Sequence, residues 1–194
     1  MNTTNKRGFT LIELLVATAI LIIVFGLVTY LYTRAAKVRK TIVIHSEIQQ
    51  VLSQMLTTIT YGEDKKWGLI DATSLESGES TTFVVINEAI DRMDVTINPE
   101  NGKIFVNGMD LDPGNKIMLL PKEVYPENPS RFEYFNSKGE QVEEGDIPDQ
   151  FGTITFIKIT LSAKPTDPSM KDLHPAVLTT GVKLRNKISS PSLP

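Results

Sequence analysis

Residues 6–33 read KRGFTLIELLVATAILIIVFGLVTYLYT and are the most informative part of the chain. From Leu14 to Thr33 there is no charged residue, and the polar exceptions are Thr18, Thr29 and Thr33. A helix needs about 20 apolar residues to cross the hydrocarbon core of a bilayer, so this run is long enough to span a membrane. Few soluble domains of this size could cover such a segment on all sides. We therefore predict a membrane-embedded helix in preference to a buried core helix.

An ordinary secretory signal peptide is a second interpretation of the same stretch. Lys6 and Arg7 form a basic start, and the sequence ATA at residues 17–19 has the small-x-small form of a cleavage site. The apolar run continues over residues 20–28, however, so cleavage there would leave a strongly apolar N-terminus on the mature protein. This continuation disfavours a conventional signal peptide.

Glu13 lies inside an otherwise apolar stretch, residues 9–16, in which only Thr10 is also polar. An acidic residue at mid-membrane costs roughly 2.5–3.5 kcal/mol on insertion scales, which makes an intramembrane carboxylate a candidate functional group. The alternative is that Glu13 lies one turn inside the helix and reaches the headgroups, helped by the positive end of the helix dipole. Composition alone leaves both interpretations open.

Composition excludes several classes of function. The chain has 194 residues, 41% of them apolar and 22% charged, with no cysteine, which excludes disulfides, thiolate zinc sites and cysteine nucleophiles. Residues 1–40 carry six basic residues against Glu13, a net charge of +5, whereas residues 41–194 carry 14 basic and 22 acidic residues, a net charge of −8. Because an acidic body matches a phosphate backbone poorly, we expect no direct binding of nucleic acid.

The N-terminal sequence KRGFTLIELLVA, residues 6–17, resembles the signature of type IV pilins and of the pseudopilins of type II secretion. The resemblance implies that a membrane prepilin peptidase cleaves between Gly8 and Phe9 on the cytoplasmic side, and that Phe9 is then N-methylated. It also implies that Glu13 complements the cationic amine of Phe9 on a neighbouring subunit during assembly. Such a role has a physical logic, because burying a matched pair of charges costs much less than burying one charge.

The flanking charges and the resemblance to pilins predict opposite orientations in the membrane. Arg34, Lys37, Arg39 and Lys40 follow the apolar run, whereas only Lys6 and Arg7 precede it, so a count of charges favours a cytoplasmic C-terminus. The resemblance instead implies a single-pass protein of the cytoplasmic (inner) membrane whose C-terminal domain lies on the outer or periplasmic side, and which then enters a pilus or pseudopilus.

The helix is predicted to continue beyond the membrane to Tyr61, because apolar residues recur at spacings of three and four from Val38 to Ile59, and Gly62 then provides a helix end. From residue 9 to residue 61 this helix would be about 80 Å long. The expected organisation is a leader at residues 1–8, a membrane and assembly half of the helix at 9–33, an amphipathic half at 34–61, a soluble β-rich domain at 62–187 and a flexible tail at 188–194.

The remainder of the chain predicts an α+β fold, in which the long helix packs on an antiparallel β-sheet domain, as in pilins. Residues 62–80 are polar and irregular. The sequence PENG at residues 99–102 predicts a hairpin turn. The predicted strands are Thr81–Ile86, Met93–Ile97, Lys103–Val106, Ile117–Leu120, Arg131–Phe135, Thr153–Leu161 and Ala176–Leu184.

Two further features concern the subtype. Residues 132–139 with the strand at 153–161, and the strand ending at residues 181–186, are similar to minor pseudopilins of the J type and to the related W-type minor pilins. Many major pilins have a proline where this chain has Tyr30, and many close their C-terminal region with a disulfide that this chain cannot form. Both departures favour a minor subunit over a pilus-shaft subunit.

No catalytic motif, cofactor site or metal site is predicted. Asp110, Asp112 and Gly114 have the spacing of a calcium loop, but Pro121 stands where the loop needs glutamate, so a turn is the preferred interpretation. We expect a non-enzymatic subunit of a type II secretion pseudopilus or type IV pilus, at or near its tip. Its partners would be other pilin or pseudopilin subunits, prepilin peptidase, the inner-membrane assembly platform and, before assembly, membrane lipid.

Two rival classes remain at this stage. An uncleaved, single-pass membrane-anchored binding or sensor domain predicts an intact Met1 and tolerance of Glu13→Ala. A tethered enzyme would need a catalytic cluster, which the sequence does not display. The sequence also leaves open whether the machine serves secretion, pilus function or DNA uptake.

Overall fold

A computed structural model describes residues 10–63, 68–87, 90–147, 151–170 and 172–185. It begins with one helix, α1, that spans Leu11–Tyr61, a length of 51 residues. The helix ends at a glycine, as the sequence predicts: Gly62 has a φ of 77°, and its N–H donates to the carbonyl of Thr58 at 2.8 Å. Glycine adopts this left-handed conformation without steric cost and satisfies a carbonyl of the last turn.

Two compact units make up the chain, Met1–Val43 and Ile44–Pro194. The buried residues of α1 are Ile48, Leu52, Met55, Leu56, Ile59 and Thr60, all in the second unit. The predicted apolar stripe is therefore buried only in its later part, because Val38 and Ile42 are 53% and 62% exposed. These two residues precede the point at which the second unit begins.

Within the described residues, ten strands follow the helix and form two antiparallel sheets. They are β1 (Ala72–Gly78), β2 (Thr82–Asn87), β3 (Asp91–Asn98), β4 (Lys103–Val106), β5 (Met109–Asp110), β6 (Ile117–Leu119), β7 (Arg131–Asn136), β8 (Gln141–Val142), β9 (Ile154–Pro165) and β10 (Ala176–Lys183). The first sheet has the order β1-β2-β3-β4-β5, a simple meander. The second has the order β10-β9-β7-β8, and β6 also pairs with β9.

The buried side chains of the second half of α1 and of both sheets form one hydrophobic cluster. Phe83 of β2 meets Phe132 of β7 edge to face, with ring centroids 4.7 Å apart. The Tyr134 hydroxyl of β7 donates to the carbonyl of Glu79 at 2.7 Å, and burial raises its pKa well above the usual range. An aromatic ring with one hydrogen-bonded polar tip is suited to the junction of two sheets, because the ring fills the core while the hydroxyl satisfies a carbonyl of the turn between β1 and β2.

The α+β class is confirmed, and most predicted strands are present within a few residues of their predicted bounds. The hairpin turn at 99–102 is confirmed, since Asn98 pairs with Lys103 and the Gly102 N–H donates to the Asn98 carbonyl at 2.9 Å. Two differences concern the sheets: there are two of them, and β9 continues to Pro165 because β6 pairs with its last residues.

The prediction of an irregular segment over residues 62–80 is wrong, because residues 72–78 form β1. Only Ala72 and Leu75 of this strand are buried, and its pairing with β2 is shifted between Ala72 and Ser74 and again between Leu75 and Ser77. These irregularities remove the alternation of apolar and polar residues by which a strand is recognised in sequence.

Candidate functional site: the N-terminal membrane segment

The first turn of α1 is held by a reciprocal pair of side chains. The backbone N–H of Thr10 donates to Glu13 Oε2 at 2.9 Å, and the Thr10 hydroxyl donates to the same oxygen at 3.0 Å. In return, the backbone N–H of Glu13 donates to Thr10 Oγ1 at 3.3 Å. This arrangement is a capping box, in which threonine at the N-cap and glutamate three residues on satisfy each other's backbone N–H groups.

Of the predicted site residues, the structure describes only Glu13. Gly8 and Phe9 lie outside the described residues, as do Lys6 and Arg7. Sequence reasoning identified Glu13 as an exceptional residue but missed its partner Thr10. The pattern Thr-x-x-Glu directly before an apolar run was the available signal, because it is the sequence form of the capping box.

The apolar run presents its side chains to the surroundings on every side of the helix. Leu21, Ile23 and Phe25, for example, are 67%, 71% and 70% exposed. The helix is long and apolar enough to cross a membrane, with a mean hydropathy of 2.9 over its most apolar window and none of that window buried. A fully apolar helix that the protein itself does not cover matches a lipid environment.

The polar residues of the run satisfy their hydroxyl groups within the helix. Thr18 donates to the Leu15 carbonyl at 2.9 Å, Thr29 to the Phe25 carbonyl at 2.8 Å and Thr33 to the Tyr30 carbonyl at 2.9 Å. Hydroxyl groups in hydrocarbon need an internal acceptor, because no water is present to replace it. The three threonines are therefore compatible with a membrane-spanning segment.

The loop at residues 110–114, whose spacing partly matches a calcium-binding loop, uses its carboxylates for contacts within the protein. Asp110 Oδ2 lies 2.6 Å from Lys103 Nζ, and Asp110 Oδ1 accepts the N–H of Asp112 at 2.8 Å. Burial works against the charge of Asp110, but the bonds from Lys103 and from the Asp112 N–H prevail and lower its pKa. Asp112 Oδ2 accepts the N–H of Ile117 at 2.9 Å and shapes the turn before β6. Within the described ranges, no group of three or more His, Cys, Asp or Glu side chains is placed to hold a metal ion.

A cleft of about 600 Å³ lies within the second unit, between α1 and the loops beside β6 and β9. Ile44, Ile48 and Val51 line its apolar side, and Lys116 and Asp167 are among the polar residues on the opposite side. Among the described residues that line this cleft, none places a nucleophile beside a general base.

Comparison with known families identifies the N-terminal segment. Residues 3–29 match the family model described as the prokaryotic N-terminal methylation motif. The match covers Gly8, Phe9, the capping box and most of the apolar run, and it ends well before the second unit, Ile44–Pro194, which we call the β-rich unit. Neither the curated proteins nor the solved structures yield a match to this chain.

The class of protein follows from the motif and the fold together. The chain carries the signature of type IV pilins and pseudopilins at the head of an apolar helix, followed by antiparallel sheets of the α+β class. The motif indicates a pilin-like substrate of prepilin peptidase, and the apolar helix is long enough to anchor it in a membrane. The matched motif is that of a family of structural pilin subunits.

Proposed function

We propose that this chain is a minor pseudopilin or minor pilin, stored in the membrane and then assembled at or near the tip of a type II secretion pseudopilus or a type IV pilus. The observation that carries this proposal is the methylation motif at residues 3–29, which leads directly into an exposed apolar helix. A helix of this kind serves two environments, because lipid can surround it before assembly and other subunits can surround it afterwards.

Processing is the first step. Prepilin peptidase cuts between Gly8 and Phe9, and Phe9 becomes a methylated N-terminal amine with a positive charge. Glycine before the cut has no side chain, so the chain can enter a peptidase site beside the bilayer in an extended form. The helix then anchors the subunit in the cytoplasmic membrane, with the β-rich unit on the outer side.

Glu13 supplies the assembly contact in this proposal. Its hydrogen bonds to Thr10 occupy Oε2 but bring no positive charge, and its side chain has no cationic partner among the described residues. Hydrogen bonding makes the carboxylate tolerable in the membrane, while the uncompensated charge favours a neighbour whose Phe9 amine lies in the correct register. Residues 9–33 of several subunits would thereby form the filament core.

The role as a minor subunit is supported by one residue of this core and by features of the remaining chain. Tyr30 stands where many major pilins have proline, and the absence of cysteine precludes their disulfide. Residues 132–139, which resemble J-type pseudopilins, form β7 and the turn that leads to β8. The β-rich unit would contact neighbouring minor subunits, the assembly platform or cargo, and the chain would carry out no catalysis.

Intact mass and N-terminal sequencing of the protein from its own host test the processing step. We expect the chain to start at methylated Phe9. A Gly8→Val variant should keep Met1, because a branched side chain obstructs the extended approach to the peptidase. Gly26→Ala is the matched control, since a Cβ at residue 26 meets nothing within 4 Å, and it should be processed normally. An intact Met1 in the parent chain, with active peptidase present, would contradict the proposal.

Substitution of Glu13 tests the assembly step. Glu13→Gln keeps the shape of the side chain but removes the charge, so incorporation into filaments should fall by more than about tenfold, as expected for the loss of one partner of a buried ion pair. Glu47→Gln, which changes an exposed carboxylate of the same helix beyond the apolar run, should incorporate normally. Near-UV circular dichroism of the β-rich unit should be unchanged in both variants. Normal incorporation of Glu13→Gln would contradict this role of Glu13 in assembly.

A second candidate is an uncleaved, membrane-anchored binding or sensor domain. The capping box favours this second candidate, because it gives Glu13 a structural role within its own helix that needs no neighbouring subunit. This candidate predicts an intact Met1, and it predicts that Thr10→Val frays the first helical turn as much as Glu13→Gln does, without any effect on assembly. The processing and incorporation assays separate the two candidates, because loss of the capping box frays the first turn under both.

A further inference from the structure

The apolar run has the length of the hydrocarbon core of a bilayer. The 20 residues from Leu14 to Thr33 are uncharged and helical, and at 1.5 Å per residue they span about 30 Å. The next seven residues, 34–40, span about 10 Å, which is enough to cross one headgroup layer of about 5–8 Å. Once the run is in a bilayer, residues 34–40 therefore lie among the phospholipid headgroups.

Four of these seven residues are basic: Arg34, Lys37, Arg39 and Lys40. All four are exposed, and no acidic residue occurs in the sequence between Glu13 and Glu47. In the part of the chain that the structure describes, no carboxylate forms an ion pair with any of the four. A local charge of +4 without protein counter-charge is well suited to bind anions.

Three of the four share one side of the helix. At about 100° per residue, Arg34, Lys37 and Lys40 fall within an arc of about 120°, and we call these three residues the basic face. Leu31, Ala35, Val38 and Ile42 form a separate apolar stripe on the same stretch of helix. Arg34 Nη1 also donates to Tyr30 Oη at 3.2 Å, so its guanidinium is held beside the aromatic residue at the end of the apolar run. Tyrosine and arginine at this position are typical anchors in the interfacial layer.

We infer that the basic face binds the phosphodiester headgroups of anionic phospholipids, in the leaflet next to the β-rich unit. The inference rests on the membrane-embedded state of the proposed function and adds a lipid class to it. Lipid phosphate is the occupant that the geometry favours, because the length of the apolar run places the basic face at the depth of the phosphates. The acidic surface of a second copy is the competing occupant, and it would have to enter the headgroup layer to reach the basic face.

The experiment measures lipid selectivity of the full chain in phosphatidylcholine bilayers. Trace amounts of spin-labelled phosphatidylglycerol or spin-labelled phosphatidylcholine report, by electron paramagnetic resonance, how much of each lipid the protein restricts in motion. We expect phosphatidylglycerol to be preferred over phosphatidylcholine by at least about threefold at low salt. The preference should decline as ionic strength rises, because exposed charges are screened.

The triple variant R34Q/K37Q/K40Q should lose the preference while it still restricts phosphatidylcholine, because its apolar run is unchanged. The matched control K116Q/K122Q/K138Q removes three exposed positive charges from the β-rich unit and should keep the preference in full. Both variants change the net charge of the chain equally, so the comparison isolates the position of the charges.

Three results would overturn the inference. Equal restriction of the two lipids by the parent chain would exclude headgroup selectivity while leaving membrane anchoring intact. A self-association that disappears in R34Q/K37Q/K40Q, without any lipid preference, would assign the basic face to a second copy. Absence of restricted lipid of either kind would show that the helix is not in the bilayer, and would overturn the anchoring itself.

Discussion

Gly102 lies in the hairpin between β3 and β4 and packs directly against the strand β6. Its φ is 63°, and its carbonyl accepts the N–H of Leu119 at 2.8 Å. A Cβ at this position would lie 2.5 Å from Met118 Cγ and 2.7 Å from the Leu119 carbonyl oxygen. Both the positive φ and the close contact with β6 therefore require glycine at this position. The contact links the first sheet to the second.

Gly102→Ala should lower the free energy of unfolding by about 2–5 kcal/mol, because left-handed strain and steric overlap add together. Gly139→Ala is the matched control: its φ is 81°, but a Cβ there meets nothing within 4 Å. The control should lose only the conformational part, about 1–2 kcal/mol. Urea unfolding of both variants checks this, and equal losses would show that the contact with β6 contributes nothing.

The pairing of β7 with β9 brings three charged side chains together. Glu133 lies directly opposite Lys158, with Glu133 Oε2 2.8 Å from Lys158 Nζ, and Glu133 Oε1 lies 3.3 Å from Arg131 Nη2. The Glu133 side chain is only 11% exposed. Burial acts to raise its pKa, but the hydrogen bond from Lys158 and the positive charges of Arg131 and Lys158 outweigh burial, so the pKa of Glu133 is lowered.

A lowered pKa in the folded state means that Glu133 stabilises the fold above its unfolded pKa, and that this stability is lost as pH falls below about 4.5. Glu133→Gln should cost about 1–3 kcal/mol near neutral pH and progressively less in acid. Glu76→Gln removes one partner of an exposed pair with Arg92 and should change stability by less than about 1 kcal/mol at any pH. Urea unfolding across the acidic range measures both variants, and a cost of Glu133→Gln that does not vary with pH would refute the assignment.

The elements differ in how far the sequence predicted them. The helix end at Gly62 and the hairpin at residues 99–102 were predicted correctly, because both depend on local turn chemistry. The short strands β5 and β8 were not predicted, since two residues carry no periodic pattern. The strand β1 was missed because its register shifts hide its alternation. Turns and helix ends were predicted correctly because residues close in sequence determine them. The strands β1, β5 and β8 were missed because their formation depends on the strands with which they pair.

Along α1, the first side chain buried in the hydrophobic core is that of Ile48, and residues 11–43 contribute no buried side chain to the core. Leu52→Ala should therefore lower the free energy of unfolding of the β-rich unit by about 2–5 kcal/mol, because Leu52 is fully buried and its truncation leaves a cavity. Leu21→Ala, at a leucine that is 67% exposed on the same helix, should leave that unfolding unchanged. Urea unfolding of the detergent-solubilised full chain, monitored by near-UV circular dichroism, makes the comparison. Equal effects of the two substitutions would show that the units do not unfold independently.

The amino-acid sequence was sufficient to predict the membrane-length helix, the pilin-like signature with Gly8 and Phe9, and the α+β class. These properties depend on uninterrupted apolar content, on a short contiguous motif and on local periodicity, all of which are readable along the chain. The sequence also singled out Glu13, whose charge conflicts with its neighbours.

The folded structure was needed to establish the division into two sheets, the junction built by Tyr134 and Gly102, and the point on α1 at which burial begins. Each of these features depends on contacts between residues far apart in the chain, whose distances and register no local pattern encodes. The helical stripe had the same period from Val38 to Ile59, but only the folded β-rich unit determined that Ile48 is buried while Val38 and Ile42 remain exposed.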